Sequence, residues 1–155
     1  MVPAYFSLGS NVGDRAEHLS EGVRLVAQGE AYRVSSVYET KPVGGVEQDD
    51  FWNLVLEVTT AATPRELLER CRVAESARQR TRTVHFGPRT LDVDILFVGD
   101  VVSDDPELTI PHPRLYERRF VLAPLRELAP DLVSEDQLAR SAGLVVEIGT
   151  LETLR

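Results

Sequence analysis

The sequence predicts an α+β fold in which helices pack on an antiparallel β-sheet. Apolar residues recur at helical spacing in two stretches, one over residues 14–28 and one that begins at Thr63 and fades near Arg78. Segments rich in β-branched and aromatic residues lie around and between these stretches, and such segments are typical of strands. The resulting order of strand, helix, strand, strand, helix, strand is that of a ferredoxin-like βαββαβ sandwich. We expect the helices to cover one sheet face and leave the other for a ligand.

The first elements have recognisable boundaries. A strand over residues 3–8 ends at the turn Gly9-Ser10-Asn11, and the first helix follows over residues 14–28. Residues 31–38 again have strand-like composition. Proline and glycine in residues 40–45 then indicate a loop.

The next strand, residues 51–59, alternates between two faces. One face carries Phe51, Asn53, Val55 and Glu57, and the other carries Trp52, Leu54, Leu56 and Val58. A capping box, Thr63-Pro64-Arg65-Glu66, starts the second helix, with proline at its first helical position.

The remaining third of the chain has weaker signals. A strand that contains Asp92 and Asp94 is predicted to turn at Gly99-Asp100 as a tight hairpin and to return through Val101-Val102. An extended, proline-fixed segment and short helices over residues 114–128 should follow. The last 25 residues show only one feature, an apolar run at Leu144–Ile148.

Length and composition exclude several classes of protein. A chain of 155 residues, 43% of them hydrophobic, is expected to form a single domain over residues 1–155. Its net charge of −8 argues against a nucleic-acid partner. Since it has no 18-residue apolar run and no signal peptide, we expect no membrane partner and a cytoplasmic location. Cys71 is the only cysteine, which excludes an internal disulfide and a multi-cysteine zinc site.

The stretch Phe86–Phe97 is the most informative, because Asp92 and Asp94 lie in what is otherwise a buried strand. Residues i and i+2 of a strand point to the same face, so the two carboxylates should project together. Val93, Ile95 and Phe97 should occupy the opposite face. Upstream, residues 78–91 contain four arginines and no acid, namely Arg78, Arg80, Arg82 and Arg89.

Two interpretations of this stretch remain open from spacing alone. Paired carboxylates beside arginines suit a site for Mg²⁺ and a polyphosphate, because Mg²⁺ bridges carboxylates to substrate phosphates and guanidinium groups bind phosphate oxygens in pairs. The alternative is that the carboxylates only form salt bridges that close a polar edge of the sheet. The break at Gly87-Pro88 favours the functional interpretation, because Arg89 and the aspartates then emerge from one junction between loop and strand.

Other polar residues also have two interpretations. Asn53 is either a structural amide or a group that recognises the polar edge of a planar ligand, on which Phe51 could stack. His112, held between two prolines, is either a surface residue or a phosphate contact or proton relay. His18 and Glu75 are most simply interpreted as surface residues.

Several separate motifs resemble those of one family, in that family's order. They are Tyr5–Gly13, Ser36–Gly44, Phe51–Asn53, Arg80–Phe97, and Leu108–Phe120 with Pro124-Leu125. The block Gly-Pro-Arg-Thr-Leu-Asp-Val-Asp-Ile-Leu is the most specific of them. On these motifs residues 4 to about 132 resemble 6-hydroxymethyl-7,8-dihydropterin pyrophosphokinase of folate biosynthesis, a family with a ferredoxin-like α+β fold.

The resemblance implies a Mg²⁺-dependent transfer of diphosphate from ATP to the hydroxymethyl group of 6-hydroxymethyl-7,8-dihydropterin, with release of AMP. It implies that Asp92 and Asp94 hold two Mg²⁺ ions and that Arg80 and Arg89 stabilise charge on the phosphates. The implied ATP contacts are Arg82, Ile95, Thr109, His112 and Arg118. The implied pterin contacts are Thr40, Pro42, Val43, Phe51, Asn53 and Phe120, of which Phe51 and Phe120 enclose the ring.

The sequence departs from the family's usual residues at five positions, which are His85, Phe86, Phe51, Glu107 and Pro113. Two other functions could share the predicted topology. A ferredoxin-like RNA-binding module is disfavoured by the negative net charge and the missing RNP-type motif. A non-catalytic, ferredoxin-like small-molecule-binding domain would have no need of two aspartates beside arginines.

Overall fold

The computed structural model describes residues 1–41, 48–78 and 90–155. In these ranges six strands form one sheet whose pairings are all antiparallel, and two more form a small hairpin. The strands are β1 (Val2–Ser10), β2 (Tyr32–Val34), β3 (Val37–Thr40), β4 (Phe51–Thr60), β5 (Asp92–Val98), β6 (Ser103–Asp105), β7 (Leu108–Ile110) and β8 (Val145–Gly149). The main sheet has the order β5-β1-β4-β3-β8, and β2 also pairs with β4. Since β5-β1-β4-β3 is the arrangement that a βαββαβ unit produces, the predicted ferredoxin-like fold is confirmed.

The first three helices lie close to where the sequence predicts them, whereas the two short C-terminal helices were not predicted. They are α1 (Arg15–Ala27), α2 (Pro64–Arg78), α3 (Arg119–Leu128), α4 (Glu135–Arg140) and α5 (Leu151–Leu154). The side chain of Asp14 caps α1 by accepting a hydrogen bond from the Glu17 backbone N–H at 3.1 Å. The predicted capping box is present at α2, where the Thr63 hydroxyl accepts from the Glu66 N–H and the Glu66 carboxylate accepts from the Thr63 N–H.

The sheet buries apolar side chains on both faces. On one face α1 and α2 pack over the larger core, which contains Phe6, Leu8, Leu19, Leu54, Leu56, Leu67 and Val93. On the other face α3 packs over a smaller cluster, which contains Tyr5, Val55, Leu96, Val121, Leu122 and Leu125. The expectation that one face carries no helix is therefore wrong: α3 covers part of it, and the polar side chains of β4 and β5 continue beyond α3 on the same face.

The predicted hairpin after β5 is also wrong. The Val101 N–H donates to the Val98 carbonyl, so the chain turns, but Val101-Val102 forms no strand. Instead β6 pairs with β7 as a separate hairpin, and β5 pairs with β1. The register of β5 shifts between its pairing with Tyr5 and with Phe6. Because of this irregularity Phe97 lies with the smaller cluster, edge-on to Tyr5, rather than on the face of Val93 and Ile95.

The weakly patterned C-terminal segment contributes to the main sheet. Its apolar run forms β8, which pairs with β3 and extends the sheet beyond the βαββαβ unit. Within the ranges described, none of the helices has the length and apolar character needed to cross a membrane.

A partly exposed ion pair ties β2 to the centre of the sheet. The Arg33 guanidinium donates two hydrogen bonds to the Glu57 carboxylate, at 2.9 and 2.8 Å, and the Tyr5 hydroxyl donates a third at 2.5 Å. The bonds from Arg33 hold the pKa of Glu57 below its ordinary value, against the effect of burial. Burial and the neighbouring carboxylate raise the pKa of Tyr5 to about 12.

We expect Glu57→Gln to lower the free energy of unfolding at pH 7 by about 1.5 kcal/mol. This value is at the low end of the range for hydrogen bonds to charged groups, because Arg33 is largely exposed. A carboxyl whose pKa is depressed by folding stabilises the protein fully above its unfolded pKa and loses that contribution as the pH falls through the folded pKa. Urea unfolding should therefore separate the variant from wild type at neutral pH and bring the two together in acid. Glu135→Gln, at an exposed ion pair, is the control and should change little at either pH; a Glu57→Gln deficit that persisted in acid would contradict the assignment.

Candidate active site

Strand register brings residues from three separate motifs to one place on the sheet. In β1, Gly9 is opposite Asn53 of β4 on one side and opposite Asp92 of β5 on the other. Two residues earlier in β1 and on the same face, Ser7 is opposite Val55 of β4 and Asp94 of β5. Because residues that pair directly share a face, the amide and the two carboxylates lie on the face that α3 partly covers.

Asn53 is held against the backbone of β1. A Cβ atom added to Gly9 would lie 2.6 Å from the Asn53 Oδ1 and 3.8 Å from the Phe51 ring, so both side chains lie across the space that glycine leaves. Asn53 is only 3% exposed, and no acceptor among the described residues is within hydrogen-bonding distance of its Nδ2. A buried amide donor without a partner is costly, so Asn53 is a candidate for binding a ligand.

The two carboxylates differ in their surroundings. Asp94 is exposed, whereas Asp92 is half-buried and engaged in an interaction of its own. Glu75 of α2 reaches the strand between them, because its carboxylate accepts a hydrogen bond from the Val93 N–H at 3.0 Å. The interpretation of Glu75 as a surface acid is therefore wrong: it is half-buried and binds the outer backbone edge of β5.

His112 and Arg118 lie near Asp94. The His112 N–H donates to the Leu96 carbonyl at 3.1 Å, which ties the residue to β5. Burial lowers the pKa of His112, the Asp94 carboxylate opposes that shift, and the charges of Arg118 and Arg114 add to it. Burial likewise lowers the pKa of Arg118, and Asp94 again opposes the change. The surroundings thus combine a carboxylate, an imidazole and a guanidinium, as expected for a region that binds an anion together with a cation.

The other predicted contacts lie in different parts of the fold. The Arg118 guanidinium carbon lies 5.7 Å from the centre of the Phe120 ring, so these two side chains are neighbours. Thr40 ends β3 opposite Phe51, and its hydroxyl donates to the Leu144 carbonyl at 3.2 Å. The Thr109 hydroxyl donates to the Asp105 carbonyl within the small hairpin, and the Ile95 side chain packs in the larger core, on the face opposite Asp94.

Five of the predicted site residues lie outside the described ranges. They are the pterin contacts Pro42 and Val43, the ATP contact Arg82, and Arg80 and Arg89, which were predicted to stabilise charge on the phosphates. His85 and Phe86, two of the departures from the family's usual residues, lie there as well. A third departure, Glu107, is exposed and faces α2, where it pairs with Arg65 at 3.2 Å and Arg72 at 3.8 Å.

Three residues that support the site were not singled out from the sequence. Gly9 had been interpreted only as part of a turn, although its missing side chain makes room for Asn53. Asn11 and Arg15 hold the backbone ahead of β4: the Asn11 amide donates to the Asp49 carbonyl and the Arg15 guanidinium to the Asp50 carbonyl. Arg15 also lies 4.2 Å over the Trp52 ring. The only sequence signal for these contacts is the position of Asn11 and Arg15 around the first turn.

His18 is not a solvated surface residue, as the sequence had suggested. Its Nδ1 accepts a hydrogen bond from the Arg78 Nε at 3.0 Å, and burial together with the charge of Arg78 lowers its pKa. This contact joins α1 to the last turn of α2.

The carboxylates fit Mg²⁺ bound together with a substrate, but not a site built by the protein alone. Two carboxylates on one face are the number that Mg²⁺ commonly takes from a protein when phosphate oxygens and water complete its coordination. Over the ranges that the structure covers, no group of three or more His, Cys, Asp or Glu side chains could enclose a metal ion.

The fold and this site define a ferredoxin-like α+β protein with an amide, aromatic rings and paired carboxylates on one sheet face. The family model for 7,8-dihydro-6-hydroxymethylpterin-pyrophosphokinase (HPPK) matches residues 5–130. The chain is 46% identical over 135 residues to the 2-amino-4-hydroxy-6-hydroxymethyldihydropteridine pyrophosphokinase of Bacillus subtilis, covering 85% of this chain and 81% of that protein. It is 43% identical over 146 residues to the Methylorubrum extorquens protein of the same name, covering 92% of each.

A solved structure shows the same fold at low identity. The HPPK-DHPS protein of Plasmodium falciparum superposes with a TM-score of 0.61 at 15% identity, over 99% of this chain and 43% of that longer chain. The chain belongs to the HPPK family.

Proposed function

We propose that residues 1–155 form a single pyrophosphokinase domain that transfers diphosphate from ATP to the hydroxymethyl group of 6-hydroxymethyl-7,8-dihydropterin. The products are AMP and the pterin diphosphate, an intermediate for folate biosynthesis. Family membership and the names of the relatives support this reaction. The structural observation that supports it is the alignment of Asn53, Gly9 and Asp92 across three strands. With this register, an amide suited to a planar ligand would lie beside a carboxylate suited to a metal-bound phosphate.

The pterin would bind over Gly9. Asn53 would pair with the polar edge of the ring, because a carboxamide offers one acceptor and two donors and its Nδ2 has no acceptor among the described residues. Phe51 and Phe120 would stack on the two ring faces, and such aromatic contacts add about 0.5–1.5 kcal/mol each beyond the area they bury. Thr40, Pro42 and Val43 would complete the pterin site.

The triphosphate would bind beside the carboxylates. Asp92 and Asp94 would hold two Mg²⁺ ions, which when bound neutralise the phosphate charge and align the attacking and leaving oxygens. Arg118 and His112 would contact the ATP phosphates next to Asp94. Thr109 would be a further ATP contact, and Ile95 would contribute through its backbone, because its side chain packs in the larger core. Arg80, Arg82 and Arg89 would supply further positive charge to the transferring group and the nucleotide.

The test is AMP release from wild-type protein supplied with Mg²⁺, ATP and the pterin, with each component omitted in turn. We expect AMP only when all three are present, and we expect the pterin diphosphate in equal amount. Binding of the pterin without AMP formation would instead support the non-catalytic binding domain. Activity that persisted in excess EDTA would contradict the proposed Mg²⁺ dependence.

Gly9→Ala should raise the KM for the pterin about 10-fold. The new Cβ would lie only 2.6 Å from the Asn53 Oδ1, so the amide must move. A misplacement of about 1 Å can cost ~10²-fold in rate, and we expect a smaller shift here. The Kd for a non-reactive ATP analogue should stay near its wild-type value, since Gly9 borders the pterin rather than the triphosphate. Steady-state kinetics measure the KM and calorimetry measures the Kd. Asn53→Ala should likewise raise the KM for the pterin and leave the Kd for the ATP analogue unchanged. An equal loss of pterin and nucleotide affinity would show that Gly9 acts through the fold.

A further inference from the structure

Arg119 connects the C-terminal segment to the chain that bears two proposed substrate contacts. Its guanidinium donates hydrogen bonds to four backbone carbonyls, two in the last turn of α4 and two in the stretch that leads from α4 to β8. The acceptors are Leu138 at 3.4 Å, Ala139 at 3.2 Å, Ser141 at 2.8 Å and Gly143 at 2.8 Å. A planar guanidinium offers five donors in a fixed geometry and can satisfy several carbonyls at once, whereas a lysine ammonium offers three donors on a flexible stem.

The backbones join at the same place. The Arg119 N–H donates to the Ala142 carbonyl at 3.0 Å, and the Ala142 N–H donates to the Glu117 carbonyl at 2.9 Å. Arg118 and Ala142 pair there as an isolated parallel bridge. Residues 138–143 are thereby bound to residues 117–119 by both main-chain and side-chain hydrogen bonds.

This junction lies next to two residues of the proposed site. Arg118 and Phe120 flank Arg119, and their side chains are neighbours, with the guanidinium carbon 5.7 Å from the ring centre. The Val121 and Leu122 N–H groups both donate to the Arg118 carbonyl, so α3 begins there. The backbone direction at residue 119 therefore decides where the guanidinium of Arg118 and the ring of Phe120 point.

The same segment continues to the opposite side of the site. Residue 144 accepts the hydrogen bond of the Thr40 hydroxyl, and β8 then pairs with β3. The Arg119 guanidinium thus fixes one stretch of chain that touches both the Arg118–Phe120 segment and the strand that ends at Thr40.

We infer that Arg119 is a positioning residue, which holds Arg118 for the ATP phosphates and Phe120 for the pterin ring by binding residues 138–143. The inference rests on the proposed function, because it takes the substrate contacts of Arg118 and Phe120 from it. Arg119 itself touches neither substrate in this arrangement. Through these contacts of Arg119 the C-terminal segment takes part in substrate binding. The sequence alone had indicated no role for that segment.

The test compares Arg119→Ala and Arg119→Lys with wild type in three measurements: KM for each substrate, Kd for α,β-methylene-ATP, and Tm. We expect Arg119→Ala to raise both KM values and the Kd about 10-fold, below the ~10²-fold that a 1 Å misplacement of reacting groups can cost. Arg119→Lys should recover part of the loss, because an ammonium retains three donors. Arg140→Ala is the matched control: it removes an exposed guanidinium of α4 whose contact is Asp136 at 3.4 Å, and its KM values should equal those of wild type.

Gly143→Ala tests the junction from its other side. Gly143 has φ +112°, a conformation that side chains rarely adopt, and a Cβ there would meet no other atom, so the change acts on the backbone alone. Gly143→Ala should raise the KM for both substrates, as Arg119→Ala does. It therefore keeps the inference testable if Arg119→Ala does not fold.

A lower Tm for Arg119→Ala with wild-type KM and Kd values would overturn the inference, because a residue that only stabilises the fold changes the amount of active protein and not its affinities. Absence of AMP formation by wild type would instead overturn the proposed function. The two failures are distinguishable, since wild type and Arg140→Ala are assayed alongside.

Discussion

Replacing Asp94 with alanine should reduce AMP formation by about 100-fold or more while leaving the stability of the ligand-free protein within about 0.5 kcal/mol of wild type. The loss follows from the proposed role of the carboxylate in holding Mg²⁺ against the phosphates. The unchanged stability follows from its exposure on β5, where it lies on the same face as the like charge of Asp92. Turnover at saturating substrates and urea unfolding without metal check the two quantities.

Asp104→Ala is the matched control, because Asp104 is an exposed carboxylate on β6, a strand of the separate hairpin. It should leave both activity and stability unchanged. Asp94 is a sharper test than Asp92, which is half-buried and has an interaction that its removal would break. A marked loss of stability for Asp94→Ala with most of the activity kept would favour the structural salt-bridge interpretation over the metal site.

Leu56→Ala should have the largest effect on stability, lowering the free energy of unfolding by about 3–5 kcal/mol. Leu56 is fully buried in the middle of β4, where its side chain packs in the larger core beneath α1 and α2. The cost combines the lost burial of the side chain with the cavity left between elements that cannot close around it. Urea unfolding measures the change.

Leu144→Ala makes the same chemical change at a side chain that is 78% exposed, and it should alter stability by less than about 0.5 kcal/mol. If Leu56→Ala cost no more than this control, β4 would not be the centre of the core.

The alternation of side chains along strands allowed much of the site to be predicted. The period of two placed Asp92 with Asp94 and Asn53 with Phe51, and the structure has each pair on one face. The same rule failed at Phe97, because one irregularity in the β1–β5 pairing moved its ring to the opposite face. Irregularities of this kind depend on the partner strand, which a single segment of sequence does not contain.

Residues that act through distant contacts could not be predicted in the same way. Gly9 is next to Asn53 only because β1 and β4 pair in one register, and Glu75 binds β5 only because α2 packs beside that edge. Similarly, the run Leu144–Ile148 becomes a strand because β3 offers it an open edge. In each case the deciding neighbour lies many residues away along the chain, so local composition carries no signal for the contact.

The position of β1 in the sheet has a consequence for synthesis of the chain on the ribosome. Val2 pairs with Thr60 and Ala4 pairs with Val98, so this inner strand must wait for two partners that are translated much later. Such non-local pairing slows folding, because the entropy of closing long loops is lost before the contacts form. During that interval the apolar side chains of β1 lack the two partner strands and the helix α2 that bury them in the folded protein. A chaperone that binds short apolar segments would therefore find a binding site in β1 until β4 and β5 have been synthesised.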